Sequence, residues 1–416
     1  MTAIGLWTIA KNSPDTLAIV DPDGTERGYG QLVADADRYA KGLQALGLRT
    51  GSCVAMMLPN SADALALFFA AFETGLYIVP VNWHLAAAEV GYILTDSGAE
   101  VFVAHERFAR IAADAADLAG IRAEARFGVG DVPGFAPLAE LGAAVSPRPT
   151  SPDRPPVPEG PPENRTAGGP MVYTSGTSGR PKGVRRPLTG EDPHQVPLQS
   201  SGFFSVFGIK PFDGHVHICC SPLYHTAVLN FSVISLQLGH PVVLMDRFDA
   251  EEMLRLISRY RATHSHMVPT QFRRLLALPG DVRAKYDVSS LRAMIHGAAP
   301  CPHEVKRKML DWWGPVVIEY YAASEGGGAV ITAEEWLRKP GSVGKPWPYS
   351  EIKVLGDDKR EIPTGRPGLV YMRMGNAQFS YYNDDKKTEE ARAGNLFTVG
   401  DIGYLDSDGY LYLCDR

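Results

Sequence analysis

The residues best suited to chemistry lie in one unbroken run, Tyr173-Thr174-Ser175-Gly176-Thr177-Ser178-Gly179-Arg180-Pro181-Lys182-Gly183. It holds four serine and threonine hydroxyls, three glycines and a single lysine. Hydroxyls donate hydrogen bonds to anionic oxygens. Glycine lets backbone N–H groups approach a ligand closely. Lys182 adds a mobile full charge at the end. A loop of this composition, entered from a short apolar strand that ends at Val172, is built to wrap phosphate. It is not a Walker loop, because Pro181 precedes the lysine and Gly183 follows it, where that motif starts a helix. The plain alternative is a Gly/Ser surface loop without a ligand. The ordered string directly after a strand argues against it.

Four further stretches carry candidate chemistry. Tyr224-His225 follows a strand and Ser221-Pro222; a lone histidine there lines a substrate or simply sits in the core. Gly297-Ala298-Ala299-Pro300 leaves room for a flat ring against backbone. Ser324-Glu325, ahead of three glycines, reads by itself as a helix cap and loop. Asp401, in Thr398-Val399-Gly400-Asp401, reads by itself as a turn aspartate after glycine.

Together these strings resemble the adenylate-forming enzymes: acyl-CoA synthetases, aryl-CoA ligases, beetle luciferase and the adenylation domains of peptide synthetases. The resemblance covers nearly the whole chain. It implies that Thr174, Ser175, Gly176, Thr177, Ser178, Gly179 and Lys182 hold the β- and γ-phosphates of ATP. It implies that adenine packs on Gly297, Ala298 and Ala299 and stacks on Tyr321, with Tyr320 and Ala322 beside it. Ser324 would address the α-phosphate, Glu325 would hold Mg2+, and Asp401 and Arg416 would reach the ribose. His225, with Tyr224, would lie between the acid and the CoA tunnel. Lys182, Thr174, Ser324, Glu325 and His225 are the residues expected at the reacting groups. Ala322-Ala323 departs from the family, where many members carry glycine and a larger residue; this touches the acid pocket.

The implied activity is ATP-dependent acyl-CoA ligation, with ATP, Mg2+ and CoA. The helix after Tyr224-His225 begins Thr226-Ala227-Val228-Leu229-Asn230-Phe231, without the aspartate that amino-acid-activating members use there. A fatty or other apolar or aromatic acid is therefore expected. Two alternatives stay open: an acyl-AMP ligase that loads a carrier protein, and a nucleotide- or acyl-binding module without catalysis.

The elements that must position these residues alternate. Strands are expected at Leu17–Val20, Cys53–Leu58, Tyr77–Val81 and Val101–Ala104. Helices are expected at Gln31–Leu46, Ala64–Phe72 (capped by Ser61, ended by Gly75) and Ala86–Leu94. Alternation of this kind implies parallel sheets covered by helices. The expected fold is α/β, with two packed α/β sheets and flanking helices in an αβαβα layering. A small antiparallel, barrel-like β subdomain follows from Gly341. Residues 1–340 are expected to form the large nucleotide- and acid-binding region, interrupted by a Pro-rich loop at 145–165. Residues 341–416 would end at a hinge, so the family's mobile C-terminal domain is expected to be missing and adenylation impaired.

With 416 residues and a net charge of −6, the chain lacks the basic surface of a nucleic-acid binder. No segment reaches the ~18 apolar residues of a membrane span. Five cysteines, without a C-x-x-C pair, point to neither a disulfide framework nor a zinc site. The N-terminus has no signal-peptide pattern, so the cytoplasm is the expected location. The expected partners are small molecules, with a homodimer left open.

Overall fold

A computed structural model describes residues 4–143, 165–174, 181–375 and 378–415. The chain divides into two compact units. One comprises residues 1–200 and 222–246, the other 201–221 and 247–416.

Among the described residues, the first unit is built on a parallel sheet of six strands. Their order is Ala136–Pro137, Arg126–Val129, Ala99–His105, Cys53–Met57, Tyr77–Pro80 and Gly169–Pro170. The central strand Cys53–Met57 is buried at every position, as a strand covered on both faces must be. The next helix, Ala62–Thr74, is sealed at both ends. Ser61 Oγ accepts the Ala64 N–H at its start, and Gly75 adopts φ 73° past its end. That left-handed turn is what glycine permits at low cost. A smaller set of strands in the same unit pairs Leu17–Val20 parallel to Val242–Leu244 and antiparallel to Glu26–Gly28. The helix Tyr29–Ala45 buries Leu32, Ala36, Tyr39, Ala40 and Leu43 on one face, at the spacing the sequence shows.

The second unit begins as a parallel sheet. His217–Cys219, His264–Met267, Ala293–His296 and Val317–Ala322 lie side by side. The sheet then continues antiparallel through Gly328–Ile331, Ser342–Pro346, Leu411–Asp415, Leu396–Leu405, Gly368–Met374 and Ser350–Leu355. The strands after residue 341 are thus antiparallel, as expected. Their order runs outward from the parallel strands, and no pairing among the described residues closes them into a barrel.

No helix among the described residues is long and apolar enough to cross a membrane. Cys53, Cys219 and Cys220 are buried thiols.

Candidate active site

In the first unit, the described ends of the phosphate-loop candidate, Tyr173-Thr174 and Lys182-Gly183, lie on two paired strands. Val172–Thr174 pairs antiparallel with Lys182–Arg185, and Thr174 stands directly opposite Lys182. Lys182 thus begins a strand and not a helix, which separates this loop from a Walker motif by geometry as well as by sequence. Ser175, Gly176, Thr177, Ser178 and Gly179 lie outside the described residues, as does Arg416.

This strand pair is pinned by contacts that the sequence did not reveal. The Tyr173 phenol donates to Asp96 at 2.6 Å. Burial raises the pKa of Tyr173, and the Asp96 carboxylate raises it further, so the phenol stays protonated and donates. The Tyr77 phenol donates to the Arg186 carbonyl at 2.7 Å, and the Arg185 guanidinium lies 4.1 Å above the Tyr77 ring. Both mouth residues, Thr174 and Lys182, therefore sit on backbone held from below.

His225 occupies the N-cap position of the helix Thr226–Gln237. Its ring lies 4.5 Å from that of Tyr224, and Tyr224 meets Trp83 edge-on at 4.5 Å. Trp83 stacks in turn on Phe108. Desolvation lowers the pKa of His225, and the neighbouring His84 lowers it further. Its imidazole is thus neutral at pH 7, able to accept or donate one hydrogen bond but carrying no charge. Trp83 was not singled out from the sequence, although Asn82-Trp83-His84 places an aromatic beside a histidine.

In the second unit, the remaining candidates converge on two strand ends. Tyr321, near the end of Val317–Ala322, donates its phenol to Asp401 at 2.6 Å. The residues expected against adenine and ribose are therefore in direct contact, although 80 positions apart. Asp401 lies on Leu396–Leu405 and follows Gly400, whose φ is 89°. Tyr320, adjacent on the strand, points the opposite way, as alternation requires. It is buried, and its phenol bonds to His266 Nε2 at 2.8 Å. A Cβ on Gly297 would lie 2.8 Å from both the ring and the carbonyl of Tyr320. That close fit requires glycine at 297, and it puts Tyr320 directly beneath the loop. Ala298, the next residue, holds φ 64°, a conformation that costs a residue with a Cβ roughly 1–2 kcal/mol.

Ser324 and Glu325 lie in the turn between Val317–Ala322 and Gly328–Ile331. Ala322, paired with Gly328, closes the strand before it. Glu325 is buried and accepts the Tyr381 phenol at 2.8 Å. A carboxylate oriented in this way suits Mg2+, which takes one or two carboxylates and completes its shell with water and phosphate oxygens. Tyr381 had no motif to mark it. Gly328 is forced by close approach, because a Cβ there would overlap the Tyr321 carbonyl and the Trp347 ring.

Residues 6–382 match the family described as AMP-binding enzyme. The chain belongs to that family. It is 33% identical over 408 residues to a long-chain-fatty-acid–CoA ligase of Mycobacterium tuberculosis, covering 97% of this chain and 76% of the relative. A fatty acid–[acyl-carrier-protein] ligase of Streptomyces coeruleorubidus is 27% identical, over 98% of this chain and 75% of its own. Among solved structures, the inhibitor-bound N-terminal domain of FACL13 from Mycobacterium tuberculosis superposes with a TM-score of 0.80. It is 30% identical and the match covers 100% of both chains. The mixed α/β architecture of this member of the AMP-binding family is that of its N-terminal domains.

Proposed function

We propose that the chain is an ATP-dependent acyl-CoA ligase that converts a fatty or other apolar or aromatic carboxylic acid into its acyl-adenylate and passes it to CoA. A carboxylate is a poor electrophile, because its leaving group would be oxide. Attack of the acid oxygen on the α-phosphorus of ATP forms a P–O bond and releases pyrophosphate. The CoA thiol then attacks the acyl carbon and AMP leaves. No protein nucleophile is needed; positioning and charge neutralisation suffice.

The observation that carries this reading is the contact between Tyr321 and Asp401, a ring and a carboxylate joined at 2.6 Å. That pair can address a base and a sugar together, as a nucleoside monophosphate requires. In this reading Ser324 donates to the α-phosphate, while Thr174, Lys182 and the loop between them take the β- and γ-phosphates. Mg2+ would be held through Glu325, kept in orientation by Tyr381, and would offset phosphate charge. Gly297, Ala298 and Ala299 form the adenine wall. Neutral His225 and the Tyr224 ring line the path of the acid and the thiol.

The choice of acid rests on the helix Thr226–Gln237, which has no acidic residue in its first turn. An amino acid's ammonium would find no counter-charge there. Transfer to a carrier protein is the second reading, favoured by the Streptomyces relative. Acid-dependent exchange of pyrophosphate into ATP across fatty, aryl and amino acids tests the proposal. Exchange with fatty or aryl acids supports it, and exchange with amino acids alone overturns it. A thioester assay with CoA against carrier protein decides the acceptor.

A further inference from the structure

We propose that the buried ion pair Lys306–Glu319 is a positioning device for the nucleotide site: it locks the helix behind the adenine wall to the two strands that end in that wall. This rests on the reading of residues 297–299 and Tyr321 as nucleotide-binding. Lys306 lies on the helix His303–Trp313 and Glu319 on the strand Val317–Ala322. Lys306 Nζ donates to Glu319 Oε2 at 2.6 Å, with side-chain exposures of 0% and 9%. Glu319 is the register partner of His296 on the neighbouring strand, and His296 Nε2 lies 3.7 Å from the same carboxylate oxygen.

The placement along the chain is what gives the pair its consequence. His296 immediately precedes Gly297-Ala298-Ala299, and Glu319 immediately precedes Tyr320-Tyr321. Three elements that converge on the wall (two strand ends and one helix start) are thus joined through one carboxylate. Such joining is needed because Ala298 is held at φ 64°, and a strained residue persists only when its surroundings over-determine it. The groups facing the pair are few. The Lys306 ammonium also lies 4.9 Å from the centre of the Trp336 ring. Cys301, between the loop and the helix, has its thiol pushed up to about 12 by burial, with Glu319 adding to the rise. His303 and Arg273 contribute weaker fields at Glu319 and Cys301. Burial lowers the pKa of Lys306 and raises that of Glu319, and each partner's charge opposes the change.

A purely stabilising ion pair is often replaceable by apolar groups at little cost; a positioning pair is not. The variants that separate the two roles are Lys306→Met, Glu319→Gln and the apolar double Lys306→Met/Glu319→Leu. Three readouts apply: melting temperature, titration with a fluorescent ATP analogue, and hydrogen exchange at residues 297–301. The single variants are expected to melt lower. The double variant is expected to recover melting but still to bind the analogue about tenfold more weakly, with faster exchange at 297–301. A folded double variant with parental affinity and parental exchange overturns the inference. So does a double variant that fails to fold while a folded single variant binds within twofold of the parent. A parent protein that does not bind the analogue overturns the nucleotide reading itself, a result distinct from either.

Discussion

Replacing Tyr381 by phenylalanine isolates one atom of the proposed metal site. The ring stays, so its packing 5.4 Å from Phe379 is kept, and only the donor to Glu325 is lost. That donor is 2.8 Å from a carboxylate oxygen and both residues are buried. A hydrogen bond to a charged group is worth about 1.5–3 kcal/mol. Loss of a partner that orients a metal-binding carboxylate typically weakens metal affinity ~10–100-fold, which converts to about 1.4–2.8 kcal/mol. The two estimates agree because they describe one event, a carboxylate that must find its orientation anew when the metal arrives. The assay is ATP binding measured across a Mg2+ titration. Tyr381→Phe is expected to need roughly ten to a hundred times more Mg2+ for half-maximal ATP affinity, with ATP binding recovered at saturating Mg2+. A Mg2+ dependence within twofold of the parent, in a protein that melts normally, would refute the assignment of Glu325 to the metal.

Other consequences follow from single contacts. Gly328→Ala forces a Cβ into the Tyr321 carbonyl and the Trp347 ring, so thermal unfolding should show a loss of about 1–3 kcal/mol together with weaker ATP binding. Tyr173→Phe removes the donor to Asp96 beside the proposed phosphate-binding residues Thr174 and Lys182 and should cost about 1–3 kcal/mol of stability in denaturant titration, weakening ATP more than AMP. His296 is fully buried and desolvation holds its pKa well below 6.5. The unfolded chain therefore binds this proton first. The stabilisation is complete above pH 6.5 and falls as pH drops below it, by at most ~1.4 kcal/mol per pH unit for one proton. Denaturant titrations from pH 7.5 to 5 should show that slope, and His296→Phe should flatten it.

The sequence made local structure readable where one or two residues decide it. Ser61 and Gly75 bracket a helix because a cap oxygen and a positive φ are properties of single residues. The Thr174–Gly183 run stands out by composition as a loop, yet its described ends lie on paired strands, Val172–Thr174 and Lys182–Arg185, a pairing that composition did not signal. Contacts between distant positions carried no such signal. Tyr173 finds Asp96 across 77 positions, and Tyr381 finds Glu325 across 56. Periodicity reports which face is buried, not which partner waits there. The opposite orientations of Tyr320 and Tyr321 are accessible from the sequence, since strand neighbours alternate, while the family resemblance by itself places both at the nucleotide. The helix Val196–Ser205 stayed hidden in a stretch of Pro197, Ser200, Ser201 and Gly202, residues with low helix propensity. Lys306 and Glu319 carry no signal of burial, because a lysine and a glutamate in a mixed pattern normally mark solvent-facing positions.

The proposed ligase must grip an acyl-adenylate. Titration calorimetry with an acyl-sulfamoyl adenosine, a non-hydrolysable mimic of that species, against AMP measures that grip most directly. The mimic is expected to bind at least ~100-fold more tightly than AMP, and Asp401→Ala to weaken both ligands. Equal affinity for mimic and AMP, or binding untouched by Asp401→Ala, would contradict the proposal.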